Sequence, residues 1–577
     1  MSAEYPMRFS PRENRAGSIG WREWGEGAFR EAERDGKLIL LSISASWCHW
    51  CHVMDETTYS DPDVIELIRR HCVPVRVDTD LQPEINRRYN QGGWPTTAFL
   101  DPEGRLLAGA TYIPPETMAK ALERIYVLYQ ENRDNLDWSV APFEEREPVN
   151  DLRRESLKIA ALALSLWDRV HGGLGNAPKF PLPETILLSF DAYLLTGNED
   201  FLRFSLHTLQ SMVNSRIFDR VEGGFFRYSV TADWSEPHYE KLLEENALIL
   251  LALHHATSTG MDEHLEEALE MTAGYITTTL YGGGGIFFPS QDALEDYYRL
   301  GAGERKRAQR PAVDPIPLSR PAATASRALL RLGAGRGRGE WVRIALEALE
   351  QIASTFSRDG GIAHAYGEYR LGEGHLEDQT ATFLALLDAY SLTGEEKYLH
   401  VAYEILDLLV EEYRLGDTGL LADVAEKYLP PKLHLAPASP EALGEAAIAM
   451  TWRWVISGEE RWREEAHSLL SHAFSHYSNV GVHASPLAWA GLLLTEKPLL
   501  VKLAPGKEYG TYSGRFLSFP LSHIRPVPHE PEGGEPPFQI CGPDSCLAAS
   551  DDVEQLFGSL RGLVVPGRDG DQEVQFT

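Results

Sequence analysis

Cys48-His49-Trp50-Cys51-His52 is the segment of this 577-residue chain whose residue types and spacing point most directly to chemistry. Two thiols two residues apart can exchange with a disulfide if the first stands at the exposed first turn of a helix. There the free N–H groups and the positive end of the helix dipole favour a thiolate. Cys48 is then the expected nucleophile and Cys51, one turn further in, the resolving thiol, with His49 or His52 adding positive charge. Other chemistries fit the same letters. C-x-x-C-H is a haem-attachment pattern, two cysteines with two histidines can bind zinc, and the pair can also be inert thiols in a structural shell. Further along, Trp94-Pro95 supplies an X-Pro bond; if cis, it holds the Trp94 backbone against the dithiol, which makes both residues expected contacts for a bound partner.

The elements that must position these residues are readable around them. Residues 37–47 form an apolar run of strand length that stops at the dithiol, and an amphipathic helical pattern follows to about Arg70. A second strand covers Cys72 to Asp78, with Cys72 a core residue. Gly92 to Gly104 then reads as a loop, a strand opened by proline and a tight turn. Strand, C-x-x-C at a helix start, helix, strand, and X-Pro before another strand is the order of an α/β thioredoxin-like fold, expected over residues 1–140. The strand before the dithiol carries no carboxylate to take a proton; Ser42 stands there instead.

From about Asp151 the pattern becomes helix after helix, twelve in all up to Leu494. They pair off through glycine-containing connections (Gly172-Gly173, Gly223-Gly224, Gly282 to Gly285, Gly360-Gly361, Gly419, Gly481), while the links between pairs are short. Six such pairs predict an all-α (α/α)6 toroid over 150–495, with the long loops at one mouth. That mouth should gather Phe226, Arg227, Tyr228, Trp234, His238 and Glu240 from one loop, and His375, Glu377 and Asp378 from another. Aromatic rings stack on the apolar face of a sugar and acids bind its hydroxyls or move protons, so a saccharide ligand is expected, with His238 and Glu240 as the acid–base pair. The competing reading makes Glu240, Glu377 and Asp378 ordinary helix caps. Residues 496–577 form a C-terminal extension with a strand at 498–503, a loop over 525–537, a short helix over 551–561 and a cysteine pair, Cys541 and Cys546. That pair is close enough in sequence to form a disulfide, and would exchange with Cys48–Cys51 if the tail folded back over the first domain; the competing reading keeps both thiols reduced in a loop.

Cys48-His49-Trp50-Cys51-His52-Val53-Met54, Val77-Asp78, Gly92-Gly93-Trp94-Pro95, Ala177-Pro178-Lys179-Phe180-Pro181, Pro237 to Leu242 and Ser290-Gln291-Asp292-Ala293 together resemble the spermatogenesis-associated protein 20 family and its bacterial YyaL-type relatives. The resemblance implies a thioredoxin-like domain fused to a barrel similar to six-hairpin glycosidases and N-acylglucosamine 2-epimerases. The chain departs from the family in a weakened acidic run after the second strand, Asp78 to Glu84, and in polar positions of the barrel, Arg320 to Ala323 and Pro440 to Glu445.

Composition bounds the rest. A net charge of -31 disfavours nucleic acid, whose phosphates need a cationic face. The two arginine-containing stretches, Arg305–Arg310 and Arg331–Arg338, read as solvated loops. No apolar run reaches 18 residues and the N-terminus has no apolar stretch, so neither a membrane span nor a signal peptide is expected, and a cytoplasmic location follows. No metal or cofactor is called for. The expected function is thiol–disulfide exchange coupled to a carbohydrate-binding or carbohydrate-processing barrel, acting on a protein thiol or disulfide partner and a saccharide. Alternatives are a sugar isomerase, epimerase or hydrolase with a structural thioredoxin-like domain, and a non-catalytic binding protein.

Overall fold

Leu38 to Ser44 contains only aliphatic residues and two serines, and all seven residues are buried as the central strand of a four-stranded sheet. The computed structural model describes residues 6–133, 146–260 and 262–564. The expected boundary at 140 lies outside these. The sheet has the order β2-β1-β3-β4, from β1 (Leu38–Ser44), β2 (Cys72–Asp78), β3 (Thr96–Leu100) and β4 (Leu106–Ala110). β1 runs parallel to β2 and antiparallel to β3. Helices α1 (Glu26–Asp35), α2 (His49–Glu56), α3 (Pro62–His71), α4 (Pro83–Tyr89) and α5 (Pro115–Asn132) accompany it, completing a thioredoxin-like unit. The single helix expected from the dithiol to Arg70 is two. Asp61 caps a new helix by accepting from Asp63 and Val64 N–H, and Pro62, which cannot continue α2, sits at its first turn.

All twelve helices of the second region are present. They are α6 (Leu152–Leu166), α7 (Pro183–Thr196), α8 (Glu199–Val213), α9 (Leu243–Thr259), α10 (Glu263–Thr278), α13 (Ser319–Gly335), α14 (Gly339–Ala353), α15 (Leu376–Thr393), α16 (Glu396–Glu412), α17 (Pro440–Ser457), α18 (Glu460–His476) and α19 (Ser485–Thr495). Two single-turn helices, α11 (Glu295–Tyr298) and α12 (Ala302–Arg305), lie in the loop before α13. Helices α7, α9, α13, α15, α17 and α19 each touch the next, and α19 returns to α7, so six inner helices close a ring. Burial all round explains their near-continuous apolar sequences, such as Ala381 to Leu387 in α15.

The long loops are held by one device used twice. Asn246 accepts from Phe225 N–H (2.7 Å) and donates to Phe225 O and Leu242 O. Gln379 does the same with Ile362 N–H (2.7 Å), Ile362 O and His375 O. Gly224 has to be glycine here: its φ is +80°, and a Cβ would stand 2.7 Å from the Tyr275 ring. Buried lysines brace the same loops, Lys179 on Asp168 and Gly172 O, Lys241 on Asp219 and Gly223 O.

The C-terminal extension covers the short-loop mouth. Its sheet, of order β12-β11-β13-β14, is formed by β11 (Leu499–Leu503), β12 (Ile524–Pro528), β13 (Phe538–Cys541) and β14 (Cys546–Ser550). It is joined by α20 (Tyr509–Leu517) and α21 (Val553–Val564). Tyr509 donates to Ser391 O in the last turn of α15, and His254 on α9 bonds Ser518 O. β12 occupies part of what the sequence suggested was loop. The expectation of solvated arginines is corrected at two positions. Arg305 is buried on Asp219 and Glu222, and Arg331 is buried on Asp388, because each inner-helix or loop carboxylate in the core needs a cation.

Candidate functional site

The thioredoxin-like unit sits on the long-loop mouth. Arg88 grips Asp423 through two nitrogens (2.7 and 3.1 Å), Arg87 reaches Glu377 (3.0 Å), and Ser46 donates to Asp314 (2.8 Å). Cys48 and Cys51 are disulfide-bonded and face this seam, only 4% and 3% exposed, packed with Trp47, Trp94 and Leu242. Cys48 is the N-cap of α2 and its sulfur accepts from Cys51 N–H at 3.1 Å. That donor, with the helix dipole behind it, would steady a thiolate at Cys48 after reduction. The Trp94–Pro95 bond is cis. Trp50, between the cysteines, is 44% exposed at the edge of the seam.

The histidines do not converge on the sulfurs. His52 pairs with Asp292 at 3.1 Å and His49 stands 3.9 Å from Glu295, both partners coming from the toroid loop. Carboxylates gather on the other side of the dithiol. Trp47 donates to Asp80 at 2.7 Å, and Asp80 lies with Asp78, Asp314 and Arg8. Burial, then Asp78 and Asp314, push Asp80 up to about 7, so near neutrality it can hold or release a proton while bonded to Trp47, the residue before Cys48.

From the dithiol the surface continues into the toroid mouth. Arg227 lies over Trp47 (4.7 Å), Trp94 (4.9 Å) and Tyr228 (5.4 Å). Tyr228 is stacked between His238 (4.3 Å) and Phe180 (4.9 Å). Beside Phe180 a cavity of about 170 Å³ is lined by Glu184, Glu245, Glu441, Thr185, His483 and Ser485. Burial, with lesser repulsion from neighbouring carboxylates, pushes Glu184 up to about 8 and Glu245 to about 7, and raises Glu441. Across the mouth Arg320 ties Glu244 (2.8 Å) to Glu445 (2.9 Å). Burial alone would raise Glu377, but Arg87 and Arg320 hold it below the usual carboxylate range.

The residues expected from sequence fall into three groups. Cys48, Cys51, Trp94, Pro95, Arg227, Tyr228 and His238 meet along the seam. Glu240 is close to them, its Oε1 3.9 Å from His238 Nδ1 and its Oε2 buried without a protein partner. It precedes α9 by three residues and is therefore not a helix cap. His375, Glu377 and Asp378 open α15 under the thioredoxin-like unit. Asp378 bonds His364 Nδ1 (2.7 Å), whose Nε2 reaches Asp80 O (2.6 Å), and His375 stands 3.8 Å from Glu84. Phe226 and Trp234 lie inside the loop packing. Trp234 is 1% exposed, donates to His171 O and packs on Gly173 and Lys179, so it braces a loop instead of facing the mouth. Sequence reasoning passed over Glu184, Glu245 and Glu441. Their signal was the acid in the first turn of three inner helices, Pro183-Glu184, Glu244-Glu245 and Pro440-Glu441.

The proposed exchange between the two cysteine pairs is corrected. Cys541 and Cys546 do form a disulfide, but on the sheet that covers the short-loop mouth. The 17-residue α9, about 25 Å long at 1.5 Å per residue, separates the dithiol at its start from the extension at its end.

This geometry defines a thioredoxin-like domain seated on the mouth of an (α/α)6 toroid. Residues 11–145 match the family model Thioredox_DsbH, described as "Protein of unknown function, DUF255". The chain is similar to spermatogenesis-associated protein 20, 29% identical to the Homo sapiens protein over 309 residues and 30% to that of Mus musculus. The match takes in 48% of this chain and 39% of each of those proteins, so the chain spans about two fifths of their length. The Disulfide bond reductase DsbH of Chlamydia pneumoniae is 30% identical over 111 residues, 17% of this chain and 66% of that one. Among solved structures, a D-mannose isomerase superposes with a TM-score of 0.48 at 14% identity, covering 59% of this chain and 96% of its own. Cellobiose 2-epimerase from Spirochaeta thermophila gives 0.47 at 14%, covering 60% and 97%. Among the described residues, no helix is long and apolar enough to cross a membrane.

Proposed function

We propose that the chain is a thiol–disulfide oxidoreductase whose substrate is presented at the toroid mouth. The observation that carries this reading is Cys48 at the N-cap of α2, with Cys51 N–H directed at its sulfur. In the reduced protein Cys48 attacks a substrate disulfide, forming a mixed disulfide and releasing one thiolate. Cys51 then attacks Cys48, releasing the second thiol and leaving the Cys48–Cys51 disulfide. The name of the Chlamydia pneumoniae relative, a disulfide bond reductase, supports this direction. Asp80, hydrogen-bonded to the Trp47 that precedes Cys48, is suited to take the proton of the resolving thiol in place of the carboxylate that β1 lacks. The cavity at Phe180, Glu184, Glu245 and Glu441 supports a polyol or saccharide moiety as the part of the substrate held by the toroid.

The test is thiol chemistry at single residues. Cys51→Ser should accumulate a mixed disulfide through Cys48 with a model disulfide, and Cys48 should titrate below the ~8.5 of a free cysteine. A Cys48 that forms no mixed disulfide in the folded Cys51→Ser protein would overturn the reading.

A further inference from the structure

At the base of the toroid, far from the dithiol, three guanidinium groups converge on one carboxylate. Arg331 makes two bonds to Asp388, at 2.7 and 3.0 Å, and Arg525 from β12 lies 3.0 Å from the same carboxylate. Arg327, one turn before Arg331 on α13, stands 3.6 Å from Asp388, beyond hydrogen-bond reach. The next carboxylate facing Arg327, Glu445, is taken up by Arg320 and Thr380. Asp191 accepts from Trp489 and Ser522 and lies 3.8 Å from His523, and burial raises its pKa. Three guanidinium groups therefore meet one carboxylate in a largely buried region, which is costly unless another anion balances them.

Two guanidinium nitrogens beside one cavity make no hydrogen bond. Arg525 is 1% exposed, yet its Nε has no protein partner; the Nε of Arg327 makes no hydrogen bond either, its ion-pair contact being Asp388 at 3.6 Å. A cavity of about 30 Å³ lies between Arg327, Arg331, Arg525, His255, Trp452 and Trp489. Arg525 also covers the Trp452 ring at 4.7 Å, so that ring is one wall and the guanidinium fork another. The space is of the order of one or two waters, which suits a small anion best.

We infer that this cavity is a binding site for a small monatomic anion of the chloride type, held by Arg327, Arg331 and Arg525. The site joins α13 to β12, so an anion there ties the C-terminal extension to the inner ring of the toroid. It is independent of the dithiol reading.

Two measurements on the full chain test it. Thermal unfolding is followed in sodium chloride and in sodium gluconate at equal ionic strength, which separates site binding from screening of the net -31 charge. Crystals soaked in sodium bromide are examined for anomalous scattering. The expected results are a Tm higher by about 2 °C or more in chloride and a bromide peak within the cavity. Arg327→Gln, which removes a side chain making no close hydrogen bond, should fold and lose both. Equal Tm values in the two salts, together with a cavity holding water only, would overturn the inference. So would a chloride effect that survives in Arg327→Gln without a bromide peak, because it would then arise elsewhere.

Discussion

Substituting Asp423 by alanine should expose the dithiol without unfolding the protein. Asp423 has no exposed side-chain surface and accepts from Arg88 at 2.7 and 3.1 Å and from Arg87 at 3.3 Å. Removing one partner of a buried ion pair costs about 3–5 kcal/mol. Arg87 and Arg88 keep 23% and 13% of their side chains in contact with solvent, so water recovers part of that cost and about 2–3 kcal/mol remains. All three hydrogen bonds cross the seam, so the loss falls on docking. At 1.4 kcal/mol per decade the undocked population rises by ~30- to 150-fold. Cys48 is 4% exposed when docked, so its alkylation by iodoacetamide in the reduced protein should accelerate by the same factor. Peptide-resolved mass spectrometry separates Cys48 from the buried Cys72 and the tail pair. Leu409→Ala, a fully buried truncation within α16, serves as a control that lowers global stability away from the seam. If Asp423→Ala accelerates alkylation no more than Leu409→Ala does, the seam is not what covers the dithiol.

Three further outcomes follow from the same geometry. His364 faces acceptors at both ring nitrogens, Asp378 and Asp80 O, and although burial opposes its charge, Asp378 pushes its pKa up to about 9. A histidine raised from about 6.5 stabilises fully below that pH and loses the contribution as pH climbs through 9, so urea unfolding of His364→Gln should lack this alkaline decline. Glu184, pushed up to about 8, likewise favours folding in its neutral form; Glu184→Gln should raise Tm at pH 9 relative to the parent and weaken any saccharide binding seen by calorimetry. Cys541→Ser should leave the alkylation kinetics of Cys48 unchanged, since a helix length separates the pairs; a change of threefold or more would contradict the placement of the extension.

What could be read in the sequence was whatever periodicity and backbone chemistry encode locally. The dithiol, its strand and the cis Trp94–Pro95 bond belong to one short stretch with a recurring order, and the six glycine-marked helix pairs repeat often enough to close a ring. The loop residues were harder to place because a loop fixes no side-chain direction. Tyr228 and His238 do stack at the seam, but Trp234, four residues before His238, turns inward through a positive φ of 63° that no periodicity forecasts. Arg305 and Arg331 carry the same difficulty in reverse. Nothing local distinguishes them from solvated arginines, because their partners, Asp219 and Asp388, are 86 and 57 residues away. Docking of the first domain over the mouth was invisible for the same reason, since Arg87, Arg88 and Asp423 look like ordinary surface charges.

That docking bears on whether the first domain is an oxidoreductase or a structural cover. A cover should satisfy the polar groups it buries, since each one left without a partner costs ~1–3 kcal/mol. The seam leaves several short of a hydrogen bond: Trp94 Nε1 and Glu240 Oε2 have none, Asp78 Oδ2 has only Arg8 at 3.6 Å, and Glu84 Oε2 has only His375 Nδ1 at 3.8 Å. Burial pushes Glu84 up to about 7 and His375 well below its ordinary value, so near neutral pH His375 is uncharged and Glu84 is partly protonated, which reduces the cost without removing it. Separation of the seam would hydrate those of these groups that the other domain covers, such as Glu84 and His375, and offset part of the loss of the Arg88–Asp423 grip. The same movement uncovers Cys48, Cys51 and Arg227. A contact that is strong at two arginines and poorly matched around the dithiol opens more readily than one optimised throughout, as an enzyme with a covered nucleophile requires and a permanent cover does not.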